Sequence, residues 1–308
     1  MRNAIALLLG VVGFAFGDSA VSAQDKGVDK IKATVTNHLQ GRIKLKDGKL
    51  TYVAKLEQIQ DMRSKIVDGF AKTVERIVQG NGKLTIEGAG TFDFRYCVGR
   101  DGDVDTHPNG YPATTNGGGI NFSLGGNGSE ANKDTPAGTG GDVTASGGNI
   151  NIAIAGSGGP GRRDLVGGRG GRATAEPGRG GAGFAFAGDG GKGGGQRDPG
   201  DAGRGGQGGE ASVAGDGEAN GGRGGNGGGS ISLGRGGEGA SGGAANVVGA
   251  GKAVGGDGGD GGPSNVEGGG LNANIQPSQG GPGGVAKGGR GCDAKAGAPG
   301  KAGKIDVK

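Results

Sequence analysis

The sequence predicts an α+β unit, antiparallel hairpins plus one long helix, followed by a glycine-rich bundle of the polyglycine-II type with short β pieces. Three observations predict it. Glycine is unevenly spread, 8 in the 75 residues from Gln24 to Val98 against 74 in the 210 from Gly99 to Lys308. From Arg100 onward Leu, Ile, Val and Phe number 24 of 209 residues, below the roughly 20% at which a chain can bury an ordinary core. Sustained hydrophobic periodicity is confined to the first part, where segments of period two flank one of helical spacing.

Four parts are expected: a signal peptide at 1–23, a small basic α+β module at 24–98, a turn-rich linker at 99–116 and a low-complexity repeat region at 117–308. Met1-Arg2-Asn3, the apolar run Ala4 to Phe16 and the small residues Val21-Ser22-Ala23 follow the order of a secretory leader. That order implies an extracellular, cell-surface or periplasmic location. No later apolar run approaches the roughly 20 residues of a spanning helix, so no membrane span is expected after cleavage.

Within the module, Ile31, Ala33 and Val35 alternate with Lys30, Lys32, Thr34 and Thr36, which predicts a half-buried strand. Alternation resumes on both sides of Asp47-Gly48, a pair suited to the two positive φ angles of a type I′ hairpin turn. Leu56, Ile59, Ile66, Phe70, Val74, Ile77 and Val78 fall at helical spacing, so one helix is expected to run until Gly80 and Gly82 stop it. A second hairpin, turning at Gly88-Ala89-Gly90, sets Leu84, Ile86, Phe92 and Phe94 on one face.

Charge divides at the same boundary. Residues 24–99 carry 14 Lys and Arg against 9 Asp and Glu, and residues 100–308 carry 19 against 20. The sequence pI of about 9.0 therefore belongs to the module. Lys30, Lys32, Arg42, Lys44, Lys46 and Lys49 are expected on its outer sheet face, a candidate surface for an anionic envelope polymer; a solvated face is the plain alternative.

Cys97 and Cys292 are expected to pair in an exported chain, with free thiols or an intermolecular bridge as alternatives. Asp101, Asp103 and Asp105 have the first three spacings of a calcium loop, but Thr106 and Pro112 stand where such a loop needs Gly and Glu. An acidic linker is the other reading. His38 and His107 have no ligand-like spacing around them. With no nucleophile–base or metal-ligand constellation, neither enzymatic activity nor a cofactor is expected.

Gly-Gly-X runs recur at 167–172, 203–210, 221–229, 255–270 and 280–284. Between them lie short apolar pieces at 120–124, 150–154, 184–186, 231–233 and 271–275. The triplets are too broken and too poor in Pro, 10 of 308 residues, for collagen. No Asp keeps the register of a calcium β-roll. A neutral charge and few aromatics argue against nucleic acid as a partner for these runs. Two physical readings remain: extended helices of three residues per turn packed at backbone contact with X side chains outward, or a disordered glycine-rich tail.

Over about residues 117 to 302 these runs resemble exported glycine-rich surface proteins, including the PGRS repeats of mycobacteria, and the polyglycine-II folds of phage tail-tip adhesins and a springtail antifreeze protein. The resemblance is one of composition. It implies a structural, adhesion or envelope-matrix role with self-association or an envelope polymer as partner, and through the antifreeze member it implies ice binding. The module does not resemble the PE domain that precedes PGRS repeats, and the charged X residues depart from the alanine-rich PGRS pattern.

Overall fold

The computed structural model describes residues 18–196, 200–231, 234–266 and 276–307. Most of the leader read at 1–23 lies outside the described residues, as do residues 232–233 of one apolar piece and the whole piece at 271–275.

Helix α1 (Asp18–Gln40) runs through the stretch where period two predicts a strand. Ile31, Val35 and Leu39 are fully buried while Ala33 is exposed, so the four-residue spacing and not the alternation finds the core. The hydroxyls of Thr34 and Thr36 donate to the carbonyls of Lys30 and Lys32, which satisfies two β-branched residues inside the helix. Strands β1 (Ile43–Lys46) and β2 (Lys49–Tyr52) form the hairpin that Asp47-Gly48 signals, with φ of 49° and 73° at the two central residues.

Helix α2 (Leu56–Phe70) buries Ile59, Met62, Ile66 and Phe70. It ends well before the expected stop, and Val74 is 76% exposed. Residues 77–86 are instead β3 (Ile77–Ile86), paired antiparallel with β4 (Gly90–Gly99). Gly80 and Gly82 serve the strand rather than ending a helix. Each faces an aromatic partner, Tyr96 and Phe94, and an added Cβ would lie 2.7 Å from the Tyr96 hydroxyl at the first and 2.5 Å from the Phe94 ring at the second.

The strand pairing of the glycine-rich part overturns the expected polyglycine-II bundle. It builds an eight-stranded mixed sheet and a six-stranded parallel sheet, with only two helices in the described residues. The chain winds in circuits. Each outgoing strand joins one sheet, β6 (Ile120–Leu124), β8 (Ile150–Ile154), β10 (Ala182–Phe186), β12 (Asp216–Asn220), β14 (Gly251–Val254) and β17 (Cys292–Lys295). Each returning strand joins the other, β5 (Ala113–Asn116), β7 (Val143–Ser146), β9 (Ala173–Glu176), β11 (Ala211–Val213), β13 (Ala245–Val247) and β16 (Ala286–Gly288). A short parallel pair, β15 (Ser264–Val266) with β18 (Ile305–Val307), completes the strands.

Nor is the first part a separate module in its sheet pairing, because β4 pairs parallel with β6 and the β3–β4 hairpin opens the large sheet. One face of that sheet is apolar at Phe122, Ile152 and Phe184, which share a buried cluster with Ile31, Leu39 and Met62 of the helices. The other face is a register column of small residues, Ser123, Ala153, Ala185, Ala219 and Ala253. They pack against Ala145, Ala175, Val213 and Val247 of the second sheet, and this shallow relief lets the two sheets lie close. Few large apolar residues are needed in such a seam.

Beyond the strands the glycine runs continue both layers, and their amides have three destinations. One glycine of a triplet donates to the next circuit of its own layer, as from Gly158 to Asp189, Gly190 to Arg223 and Gly224 to Asp257. Another donates across to the opposite layer, forming a zigzag file through Gly141, Gly156, Gly171, Gly188, Gly209, Gly222, Gly243 and Gly256. The third amide, that of the X residue, goes to a side chain of the preceding circuit where that circuit carries Asp or Asn: Asn127 accepts from Ser157, Asp189 from Arg223, Asn226 from Asp260 and Asp257 from Ala298, at 2.7 to 2.9 Å. Asp and Asn are thus frequent among X residues for a structural reason. The loops between circuits vary, so equivalent residues are 30, 34 or 41 positions apart, and this is why no fixed period is visible in the sequence.

The last circuit carries Pro299 where Gly258 stands in the circuit before, and Lys287, Lys295 and Lys301 of that circuit are exposed. Proline and lysine at an open edge discourage further strand addition.

Candidate functional site

A cleft of about 680 Å³ opens where α2 meets the outgoing layer. Its wall is Leu56, Ile59, Gln60 and Arg63; its floor is the first column of X residues, Asn127, Ser157, Asp189 and Arg223, with Phe186, Glu218 and Asn220 from the strand ends. The floor changes character with the register. Phe184 pairs with Glu218 and Phe186 with Asn220, so the sheet face passes from apolar beneath the helices to polar where the helices end.

Arg63 holds the two sides together. Its guanidinium donates to the carbonyl oxygens of Gly125 at 2.8 Å and Ala155 at 2.6 Å, and to Asn127 Oδ1 at 3.4 Å. Burial lowers its pKa to about 10, against the opposing pull of Asp101. Its hydrogen-bond partners are neutral oxygens, so it brings a positive charge to the cleft. Arg223 differs: it meets Asp189 through Nε at 3.3 Å and Nη2 at 2.9 Å, and this contact raises its pKa. Glu218 lies 3.9 Å from Lys252 of the next circuit. Phe186 is half-buried and packs edge-on against Tyr52, ring centroids 6.1 Å apart.

The basic residues read from the sequence do not form one face. Lys30 and Lys32 are on α1, with Lys30 3.3 Å from Asp68. Lys44 and Lys46 are exposed on β1. Lys49 lies 3.6 Å from Asp216, a residue of the circuits. Arg42 turns back to the His38 carbonyl and to Gln58. The cause is the helical state of 30–36, which removes two of the six cations from the sheet.

The expected Cys97–Cys292 bridge is also corrected: both thiols are free. Cys97 is on β4 and Cys292 on β17, at opposite ends of a sheet in which six strand-to-strand steps separate them. At about 4.8 Å per step that is roughly four times the Cα separation a disulfide tolerates. Burial pushes the Cys97 thiol pKa up, which disfavours the reactive thiolate.

Asp101, Asp103 and Asp105 are not arranged as a calcium loop. Asp101 accepts the amide of Asn127 at 2.7 Å, and Asp103 accepts those of Asp105 and Thr106. Among the described residues no group of three or more His, Cys, Asp or Glu is placed to hold a metal. His107 stacks on Tyr111, centroids 4.4 Å apart.

His38, which spacing alone leaves without a role, is buried and meets the Tyr52 hydroxyl at 2.8 Å. Burial, aided by Arg42, lowers its pKa to about 4 from 6.5. The folded state therefore favours neutral imidazole, and the unfolded chain takes up the proton first. Stability from this site is fully present above pH 6.5 and falls as pH drops from there through 4, by about 3 kcal/mol in all. Urea titrations at pH 7 and pH 4 are expected to show that loss, and His38→Gln is expected to flatten it; an unchanged pH slope in the variant would contradict this assignment.

No family model matches the chain, and no curated protein matches it. Among solved structures, the nine-helix polyproline type II bundle of a springtail antifreeze protein from Granisotoma rainieri, described with crystal waters that match the ice lattice, is 29% identical over 55% of this chain and 95% of that chain, with a TM-score of 0.27. At so low a TM-score the fold of this chain rests on its own strand pairing and backbone hydrogen bonds.

Proposed function

We propose that this chain is an exported, non-enzymatic surface-interaction scaffold that holds an extended polysaccharide against its flat outer faces. The observation that carries the reading is the order of the X side chains. Their backbone is fixed on both sides by hydrogen bonds, so outward groups stand in columns about 4.8 Å apart between circuits and about 10 Å apart along a run. Charges within these columns alternate and pair: Arg172 with Glu210, Arg204 with Glu238, Arg223 with Asp189. A surface so prepared loses little side-chain entropy when a repeating polymer lies on it.

Exposed Arg223, Asp257, Lys192 and Asp260 offer hydrogen bonds to hydroxyl groups. They are charged residues rather than the small neutral ones that the ice-binding alternative needs. Co-sedimentation of the full chain with insoluble chitin, cellulose and cross-linked pectate is the test. Retention on at least one polymer, with no soluble sugar released, is the expected result. Passage through all three, or steady release of reducing ends, would overturn the reading.

A further inference from the structure

We infer that the cleft between α2 and the outgoing layer binds one end or branch of an acidic glycan, with a carboxylated pyranose seated between Phe186 and Arg63. The inference rests on the polysaccharide reading and goes beyond it, since the outer faces alone require no cleft. Three features point to this ligand class. The cleft volume of about 680 Å³ lies within the range of small-ligand sites, room for an oligosaccharide and too little for a folded partner. Its lining combines an aromatic ring with groups that bond to hydroxyls. Phe186 offers an apolar face to the C–H side of a sugar ring, while Gln60, Asn220 and the Arg223–Asp189 pair offer both donors and acceptors.

The charge pattern selects an acid. Asp189 is matched by Arg223 and Glu218 by Lys252, whereas the partners of Arg63 are two backbone carbonyls and an amide oxygen. Asp101, whose charge Arg63 also feels, lies beyond ion-pair contact with it and accepts the Asn127 amide instead. A guanidinium ligated by neutral oxygens in a partly enclosed site favours an anion nearby. Leu56, 56% exposed at the rim, gives the ring a second apolar contact.

Isothermal titration of the full chain with trigalacturonate, and with the neutral trisaccharide of galactose as control, tests this. Trigalacturonate is expected to bind at least about tenfold more tightly than the neutral sugar. The double variant Leu56→Ser/Gln60→Ala changes two exposed positions. It is expected to weaken trigalacturonate about fivefold or more with the melting temperature unchanged, while co-sedimentation with insoluble polymer persists. Arg223→Gln is expected to act in the same direction. Equal affinity for the two sugars, no binding by the parent chain, or full binding by the double variant would each overturn the inference. In the last case, continued co-sedimentation leaves the scaffold reading standing and removes the cleft alone.

Discussion

Gly188→Ala is expected to destabilise the fold severely. Gly188 lies in the middle of the zigzag file, donating to the Gly171 carbonyl and accepting from Gly209. A Cβ added there would lie 1.7 Å from the Gly156 carbonyl oxygen, a position no rotamer can relieve because the atom is fixed by the backbone. The circuit would have to move by more than an ångström, and that breaks the bonds above and below. Overpacking by one methyl in a close-packed site costs about 1–3 kcal/mol, and each lost backbone bond adds about 1 kcal/mol, more where the partner stays buried. The total, about 4 kcal/mol or more, is a large part of the roughly 5–15 kcal/mol by which a folded chain is stable. Thermal melting followed by amide exchange is the measurement, with Lys192→Ala, at an exposed X position of the same run, as the control. A Gly188→Ala chain that melts within two or three degrees of its parent, with the Gly171 and Gly209 amides still protected, would refute the lacing of circuits through glycine amides.

The same bonds explain what the sequence did and did not reveal. Local turn chemistry was readable: Asp47-Gly48 and Gly88-Ala89-Gly90 each sit at the hairpin they signal. Period was less reliable where two periods coexist. Ile31 and Val35 satisfy both a two-residue and a four-residue spacing, and Leu39, one further helical step along, decides for the helix. The helical pattern from Leu56 ran on to Val78 because β3 happens to place apolar residues in phase with it; the rings of Tyr96 and Phe94 over Gly80 and Gly82 belong to a partner strand that spacing within one segment cannot show. In the glycine-rich part, the pieces 120–124 and 150–154 were readable as apolar segments, but their mutual register was not. It is set by backbone amides across circuits of unequal length, and a backbone amide leaves no trace in residue identity beyond the absence of a side chain. The cleft escaped for a related reason, since Gln60, Arg63, Phe186 and Arg223 come from three distant segments and form no motif.

Phe122→Ala tests whether helices and circuits are one folding unit. Phe122 is fully buried, with Tyr96 and Ile152 beside it in register and the His38 ring 6.3 Å away. Truncating a buried Phe to Ala typically costs about 3–5 kcal/mol, from lost transfer energy and from the cavity left behind. The location of the loss matters more than its size. The helices have few other places to bury Ile31, Leu39 and Met62, and among the described residues the cover over Phe122, Ile152 and Phe184 comes from those helices and from the β1–β2 hairpin, whose Tyr52 ring lies 5.9 Å from that of Phe184. Weakening the shared cluster should therefore lower the melting temperature of the helical circular-dichroism signal and of the Gly156 and Gly171 amides together. Val248→Ala, at a residue 62% exposed, should leave both unchanged. Were the first part an independent module, Phe122→Ala would melt the helices while the glycine amides stayed protected, and the single-sheet architecture drawn from the β4–β6 pairing would have to be given up.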